Sequence, residues 1–381
     1  MIKFIFFLLA VFVSIDSYSV TQMIMKSSKS GIVSIGLRGS GMAIIDWGNG
    51  TTSETVTLSS SDISMHSHAY SDTNSRTITI NGDSITYLGC SHNQLTALDV
   101  SDNPMLTELL CSNNRLMELD ISKNVALTIL RCFSNQLKNL DVNSNTSLAV
   151  LRCHSNQLTD LNVSKNTELK ILWCHSNQLT SLDISKNSAL TDLWACLNQL
   201  TNLDVSHNAA LTDLRVRVNK LKKLDVTQNT ALTYLWCYSN QLTSLDVSNN
   251  LALIELVCFN NQLTELDLRN NTLLTTLSCH LNNLISLDVS NNTALRMLYI
   301  NNNQLTALDL SLNTALILVH CHYNQLSTDA LNVLFGSLSS ASGALLIYNN
   351  PGTNSCDTSI ANNNNWRVNS ASYPYIYTGL P

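Results

Sequence analysis

Charged residues and backbone-breaking residues are scarce in this chain of 381 residues. Asp, Glu, Lys and Arg make up 13% of it, the formal net charge is -6, and there are only four prolines and twelve glycines. Because nucleic-acid binding normally needs a basic stripe, this charge balance gives no electrostatic basis for such a partner. The low proline and glycine content argues against a disordered or linker-rich chain.

A long apolar run occurs only once, at the N-terminus. Lys3 is followed by an almost wholly apolar stretch at 4–15, and then by the small residues Ser17 and Ser19. This pattern is typical of an export signal, here with cleavage after Ser19. The run is shorter than the roughly 20 residues needed to cross a bilayer. We therefore expect a signal peptide at 1–19, a secreted or cell-surface protein, and no membrane insertion.

A period of 21 residues extends from residue 87 to residue 326. Cysteines form a ladder at multiples of this period: Cys90, Cys111, Cys132, Cys153, Cys174, Cys237, Cys258, Cys279 and Cys321. An asparagine follows three residues after each ladder position in all twelve turns: Asn93, Asn114, Asn135, Asn156, Asn177, Asn198, Asn219, Asn240, Asn261, Asn282, Asn303 and Asn324. A leucine comes two residues later, and a Leu-Asp-Val-Ser-x-Asn block recurs eleven times. This is the leucine-rich-repeat pattern.

The repeat predicts an α/β solenoid that is mostly β, a right-handed leucine-rich-repeat array of about twelve turns. Leu109 and Cys111 alternate with outward residues, which indicates a strand. Stacked turns would share one core and form a concave parallel sheet roughly 55–60 Å long. We expect the asparagine amides to satisfy backbone groups where the chain leaves each strand. The Leu-Asp-Val stretch has room only for extended backbone or one 3₁₀ turn.

The two ends of the array need caps that cover its core. Residues 20–86 read as a β-rich N-terminal cap, with strands expected at 31–37, 42–47, 53–58 and 76–80. Residues 327–381 read as a small α/β C-terminal cap. Its helix should begin at Ser327 and be followed by strands at 344–348 and 366–369. Leu331, Leu334, Phe335 and Leu338 fall on one face of that helix.

Two sequence resemblances bear on these regions. The segment Leu-Arg-Cys-His-Ser-Asn-Gln-Leu-Thr-Asp-Leu-Asn-Val-Ser-Lys-Asn at 151–166 resembles the internalin J type of bacterial repeat, and the likeness covers about 240 residues of the chain. It implies a surface or secreted protein that acts in adhesion or partner binding. Asp46-Trp47-Gly48-Asn49-Gly50 and His68-Ala69-Tyr70 resemble a turn and a His-x-Tyr motif of PKD-type immunoglobulin-like modules.

Two columns of the repeat could carry chemistry, and each also has a structural interpretation. Neighbouring ladder cysteines should have their Cβ atoms about 4.8 Å apart, whereas a disulfide needs about 3.8 Å. Ala195, Val216 and Ile300 fill the gaps in the ladder, so buried reduced thiols acting as small apolar fillers are favoured. The Asp column that begins at Asp99 could form a calcium ladder. Hydrogen bonds within each bend are the favoured interpretation, because calcium needs six or more oxygen ligands.

The candidate site lies on the predicted concave face. Its columns are the positions three before, one before and one after each ladder position, and they hold nine of the ten Phe, Trp and Tyr residues between 87 and 326. Clustered aromatic and arginine residues are typical of a binding hot spot. The predicted ligand-binding residues are Arg131, Phe133, Arg152, His154, Trp173, His175, Trp194, Arg215, Arg217, Tyr234, Trp236, Tyr238 and Phe259.

We expect no catalytic residues, no cofactor and no metal. His154, His175 and Cys196 form a straight row, which suits tetrahedral coordination poorly, and the sequence contains no recognisable nucleophile–base pair or phosphate loop. The leading hypothesis is a monomeric, non-enzymatic recognition or adhesion protein. Its ligand would be a protein or a glycan, host-derived ligands included. The rival hypothesis is a structural envelope spacer with no specific ligand.

Overall fold

The computed structural model describes residues 21–82 and 84–371. The predicted signal peptide (1–19) and residues 372–381 of the predicted C-terminal cap lie outside these ranges. Eight strands form the N-terminal region: β1 (Gln22–Ser27), β2 (Gly31–Ser40), β3 (Met42–Asp46), β4 (Glu54–Thr57), β5 (Ser64–Tyr70), β6 (Arg76–Asn81), β7 (Ser84–Gly89) and β8 (Leu95–Asp99). The four expected strands are confirmed as β2, β3, β4 and β6. Strands β1 and β5 were not predicted as strands.

The N-terminal strands are shared between two sheets. One is a five-stranded sheet in the order β4-β3-β6-β1-β8, and β5 and β2 instead continue the long sheet of the array through β7. Alternate residues of β1, such as Met23 and Met25, are fully buried, as expected for strands with one face in a core. Strand β7 crosses the predicted boundary at residue 87, so the cap and the array share a sheet without a linker between them.

The array consists of short parallel strands at intervals of 21 residues. After β7 these are β9 (Glu108–Leu110), β10 (Ile129–Arg131), β11 (Val150–Arg152), β12 (Ile171–Trp173), β13 (Asp192–Trp194), β14 (Asp213–Arg215), β15 (Tyr234–Trp236), β16 (Glu255–Val257), β17 (Thr276–Ser278), β18 (Met297–Tyr299) and β19 (Leu318–His320). Each pairs in register with the next, so that Leu172 lies beside Leu193. The predicted leucine-rich-repeat solenoid is confirmed.

One continuous hydrophobic core extends from Met23 to Trp366. The central residue of each array strand from β9 to β19 is fully buried, and so is the ladder position two residues after it. The central residue is a leucine in every one of these strands except β19, where it is Val319. In β12, for example, the two positions are Leu172 and Cys174. Ala195, Val216 and Ile300 are buried at the same position. The ladder therefore requires a small or medium apolar side chain, and the nine ladder cysteines supply one as buried free thiols.

The asparagine column ties each turn to its neighbours. Asn156 Oδ1 accepts a hydrogen bond from the backbone N–H of Leu137 at 3.0 Å, and Nδ2 donates to the carbonyl oxygens of Cys132 and Cys153 at 3.1 and 3.0 Å. The residue just before each column asparagine has a positive φ, 55° at Ser155, which turns the chain sharply away from the strand. The expectation that these amides satisfy the backbone of the bend is confirmed.

The Asp column also serves its own bends. Asp183 Oδ1 accepts from the backbone N–H of Ser185 at 2.9 Å, and the same bond recurs between Asp120 and Ser122. This bond with the Ser185 N–H is the main reason that the pKa of Asp183 is lowered. The structure therefore supports the local structural interpretation of this column. The Leu-Asp-Val stretch was expected to be extended or a 3₁₀ turn. In the first turn of the array its Leu98 and Asp99 are extended and belong to β8, which pairs with β1.

The C-terminal cap contains α1 (Thr328–Ser337), β20 (Gly343–Leu346), α2 (Thr358–Asn363) and β21 (Trp366–Asn369). Ser327 caps α1 as expected, because its side chain accepts from Ala330 N, and β21 has the predicted bounds. Strand β20 ends two residues earlier than expected. Helix α2 was missed because its six residues contain only one large apolar side chain, Ile360, which gives no helical periodicity. Among residues 21–82 and 84–371, no helix is long and apolar enough to cross a membrane.

Candidate binding face

The candidate residues lie on the face of the long sheet that points away from the core. In β12, Leu172 is fully buried, whereas Ile171 and Trp173 on either side of it are half-buried. The ladder residue then points inward, and the residue after it, His175, lies outward again. We call the three outward columns between Tyr87 and His322 the aromatic face. All thirteen predicted ligand-binding residues lie in these columns, and most are half-buried by their neighbours.

One column of the aromatic face is a continuous stack of indole and guanidinium groups. The rings of Trp173 and Trp194 lie 4.0 Å apart and are tilted by only 6°. Arg152 Cζ lies 3.8 Å from the ring centroid of Trp173. Arg215 Cζ lies between two indoles, 4.2 Å from Trp194 and 4.1 Å from Trp236. We call Arg152, Trp173, Trp194, Arg215 and Trp236 the indole stack. Both ring faces of Trp173 and Trp194 are covered within it.

A second column contains two shorter stacks. Phe133 stacks on His154 at 4.4 Å and His154 on His175 at 4.2 Å. Farther along, Tyr238, Phe259 and His280 stack at 4.2 Å per step. Cys196 and Arg217 separate the two groups, and the Cys196 thiol donates to the carbonyl oxygen of Arg215 at 3.2 Å. The rings of successive turns can stack in this way because neighbouring strands are only about 4.8 Å apart.

The third column carries most of the acidic groups. Asp213 accepts from Arg215 Nε at 2.9 Å, which forms an ion pair within β14. Asp192 accepts from the Thr191 hydroxyl at 2.6 Å. Burial raises the pKa of Glu255, and the positive charge of Arg215 opposes that shift. Tyr234 is the most exposed aromatic side chain of the predicted set, at 37%.

The histidines of the aromatic face are neutral at physiological pH. Burial lowers the pKa of His154 to about 4, and the neighbouring titratable His175 and the Arg152 guanidinium add to the shift. Burial and Arg217 lower the pKa of His175. Burial, together with the neighbouring positive charge of Arg131, also lowers the pKa of Arg152. Burial is the largest cause of all three pKa shifts, and neighbouring positively charged or titratable groups add to it.

Three of the four arginines have no acidic partner. Within the described residues, Arg131, Arg152 and Arg217 form no ion pair with a carboxylate within 4.0 Å, in contrast to Arg215. The Nε atom of each of these three is buried without a hydrogen-bond partner. Arg217 lies 5.4 Å from the ring of Tyr238. The face thus contains three guanidinium groups with no carboxylate at ion-pair distance.

The structure extends the face beyond the predicted set at both ends. At the C-terminal end His322 stacks on Tyr348 at 4.1 Å, and Tyr348 follows β20 of the cap. No repeat signal could have indicated Tyr348, because it lies outside the period. At the other end Arg38 of β2 pairs with Glu108 of β9. The sequence signal there was only a basic residue in a strand, which is uninformative.

The ladder thiols are poorly suited to reaction. Burial raises the pKa of Cys90 and of Cys237 to about 12. Since the thiolate is the reactive form, these groups are inert while the core is closed. Among residues 21–82 and 84–371, no three or more His, Cys, Asp or Glu side chains are grouped as they would be around a metal ion.

The comparison with solved structures identifies the family. The chain is similar to the functional domain of internalin J (InlJ) from Listeria monocytogenes, which includes a cysteine ladder: 30% identity over 73% of this chain and 77% of that one, with a TM-score of 0.50. The chain belongs to the internalin family of leucine-rich-repeat proteins. The predicted family resemblance is therefore confirmed, and internalin membership supports a role in recognition in general terms.

Other similar structures support the fold alone. Internalin InlF from Listeria monocytogenes is 24% identical over 69% of this chain and 80% of its own, with a TM-score of 0.62. The leucine-rich-repeat domain of APL1B is 20% identical over 78% and 92%, with a TM-score of 0.57. No protein-family model and no curated protein sequence matches this internalin.

Proposed function

We propose that this protein is a bacterial recognition and adhesion protein that binds a protein partner through the aromatic face. The observation that carries the proposal is the indole stack, in which two arginines lie against the indole rings. Folding would bury large aromatic rings in the core, yet the rings of the array lie on the opposite side of the sheet. Aromatic and arginine side chains gathered on one surface are typical of interface hot spots.

The stacking geometry favours a protein over a glycan. A sugar ring binds an indole by lying on its face, but both faces of Trp173 and Trp194 are covered at about 4 Å. Ring edges, arginines and the half-exposed Tyr234 remain available to a ligand. Such edges suit the mixed apolar and polar surface of a protein.

The proposal places the protein outside the producing cell. The signal-like segment at 1–19 supports export, and the internalin J resemblance implies surface or secreted use. We propose a monomer whose partner lies on another cell or in its surroundings, such as a host protein. It has no catalytic function in this proposal.

A structural spacer is the second candidate, and one observation favours it. The outward rings contact one another closely, so they contribute to holding neighbouring turns together. Aromatic pairs contribute about 0.5–1.5 kcal/mol each beyond burial. The spacer hypothesis therefore explains the stacks by stability alone, and it predicts no specific ligand.

A binding screen separates the two candidates. The mature chain, residues 20–381, would be tested on arrays of extracellular-matrix proteins and of glycans. A variant with Trp173→Ala, Trp194→Ala and Trp236→Ala would be run beside it. The matched control replaces exposed apolar residues outside the aromatic face, Met105→Ala, Met117→Ala and Leu312→Ala. We expect saturable binding to a protein that the Trp variant loses and the control retains.

Other outcomes of the screen would decide against the proposal. Saturable binding to glycans only would contradict the protein partner, and binding that survives in the Trp variant would remove the aromatic face from recognition. No ligand on either array, with a Trp variant that melts much earlier, would support the spacer. If the triple variant does not unfold cooperatively, Trp236→Ala alone replaces it, because that residue lies at one end of the indole stack.

A further inference from the structure

The aromatic face is rich in unpaired hydrogen-bond donors. Some of the buried side-chain polar atoms without a hydrogen-bond partner are Oδ1 atoms of the asparagines that end the Leu-Asp-Val-Ser-x-Asn blocks, such as Asn187. Apart from these, eight such atoms occur in the described chain, and all eight lie on this face. Six of them are concentrated between residues 131 and 217: Nε of Arg131, Arg152 and Arg217, Nε1 of Trp173 and Trp194, and Nδ1 of His154. Arginine Nε and indole Nε1 can only donate.

The charge of this stretch is opposite to that of the whole protein. Between residues 129 and 217 the three columns contain four arginines and two aspartates, a net charge of +2 with the histidines neutral, whereas the chain as a whole carries -6. One aspartate is already paired with Arg215. A positive patch on an acidic molecule attracts anions.

Unpaired donors and guanidinium groups without an ion-pair partner are both satisfied by anionic hydrogen-bond acceptors. Buried polar groups in proteins are normally hydrogen-bonded, and a guanidinium matches a carboxylate with two parallel N–H···O bonds. The missing acceptors are therefore expected to come from a ligand. Since these six nitrogens are covered in the free protein, the side chains that hold them must shift slightly when those acceptors arrive.

We propose that the aromatic face binds an acidic protein segment whose Asp and Glu carboxylates bond Arg131, Arg152 and Arg217. This inference rests on the proposed function and specifies the chemistry of its partner. Arg131 and Arg152 come from adjacent strands, about 4.8 Å apart, and Arg217 lies three turns farther on. An extended peptide places alternate side chains about 6.6–7 Å apart, so several acidic residues within one segment can reach these positions.

Other polyanions fit the face less well. Nucleic acid would be held by bases stacked on open aromatic faces, and Trp173 and Trp194 have none. A sulfated glycan offers anions, but its sugar rings would find no open face on Trp173 or Trp194. A peptide brings both carboxylates and aliphatic side chains that can pack on ring edges such as that of Phe133.

The test uses defined probes, two matched variants and the triple Trp variant described above. The mature chain would be applied to an array of synthetic twelve-residue peptides whose Asp and Glu content is graded, with a heparin fragment and single-stranded DNA as further arms. The face variant carries Arg131→Gln, Arg152→Gln and Arg217→Gln. The control carries Lys123→Gln, Lys165→Gln and Lys186→Gln, which remove the same charge from exposed positions outside the face.

We expect affinity to rise with acidic content and to fall with added salt. The face variant should bind the acidic peptides with a Kd at least about tenfold higher, because charge-assisted bonds are lost. The Kd of the control should stay within about twofold of the wild-type value. Binding should also change the near-ultraviolet circular dichroism of the stacked indoles. That change would be absent if peptides merely adhered to charged residues elsewhere.

The failures are distinguishable. If neutral or basic peptides bind through Trp173 and Trp194 and the arginine variant binds as well as the wild type, the acidic partner is wrong and the proposed recognition stands. If peptide binding depends neither on the three arginines nor on the tryptophans, both proposals fail. Equal losses in the face variant and the lysine control would show unspecific attraction and overturn the inference. Tighter, arginine-dependent binding to heparin or DNA than to any peptide would overturn it in favour of that polyanion.

Discussion

The inner and outer sides of each repeat turn follow different rules. On the inner side, asparagines such as Asn156 and Asn177 make the same backbone hydrogen bonds in turn after turn, at 3.0–3.2 Å. On the outer side a single column passes through glycine, leucine, arginine, tryptophan, valine and serine. The bend and the core dictate the inner side. The outer side is free of that constraint, so neither the bend nor the core explains which residues occur there. We assign its aromatic and arginine composition to binding.

Adjacent residues on β12 give the sharpest version of this comparison. Leu172→Ala should lower the free energy of unfolding by about 3–4 kcal/mol, because it removes a fully buried side chain and leaves a cavity. Trp173→Ala should cost only about 1 kcal/mol, mainly from lost stacking. Urea unfolding followed by circular dichroism measures both. Equal losses for the two variants would show that the outer stack is as structural as the core.

The asparagine column provides the next largest effect. Asn177→Ala removes an acceptor for Leu158 N–H and two donors to the carbonyl oxygens of Cys153 and Cys174. We expect a loss of about 2–3 kcal/mol, since buried backbone groups are left unpaired. Asn202→Ala, at an exposed position, is the control and should change little. A loss below about 0.5 kcal/mol for Asn177→Ala would mean that water replaces the amide.

Acid should weaken the fold through the buried histidines of the outer side. Burial lowers the pKa of His280 to about 4, from an ordinary value of 6.5. The unfolded chain therefore binds protons before the folded chain does, so stability is full above pH 6.5 and falls between pH 6.5 and pH 4. His280→Gln should remove on the order of 2 kcal/mol of that loss at pH 4.5.

Urea midpoints at pH 7 and pH 4.5 check the acid prediction. His207→Gln, at an exposed position, serves as the comparison and should leave the acid loss unchanged. If His280→Gln and the wild type lose the same stability between these two pH values, His280 is not the group that opposes folding in acid.

The smallest effect concerns the thiols. Because burial keeps the ladder cysteines protonated, with the pKa of Cys279 and Cys321 raised to about 12, a maleimide at pH 7.5 should leave them unlabelled in the native state. Cys356, which is only partly buried, should be the one site labelled. Peptide mapping after native labelling gives the answer. Rapid labelling of Cys174 or Cys258 would show that the inner side opens readily.

The sequence predicts the inner side well and the outer side only in part. The period places Cys153, Asn156 and Leu158 on the bend and in the core, because each turn repeats one physical problem. It also places Trp173 and Trp194 outward, since strands alternate. Their stacking at 4.0 Å depends on side-chain rotamers, which no periodicity encodes. Tyr348 was missed because the cap follows no period.

The central claim is that the outer side binds and the inner side holds the fold, and one paired measurement tests it most directly. For the chain carrying Trp173→Ala, Trp194→Ala and Trp236→Ala, both the urea midpoint and the affinity for the protein found in the screen would be measured. The account predicts a cooperative transition with a modest shift and binding weakened at least about a hundredfold, as hot-spot losses imply. Unchanged affinity, or a chain that no longer folds, would contradict it.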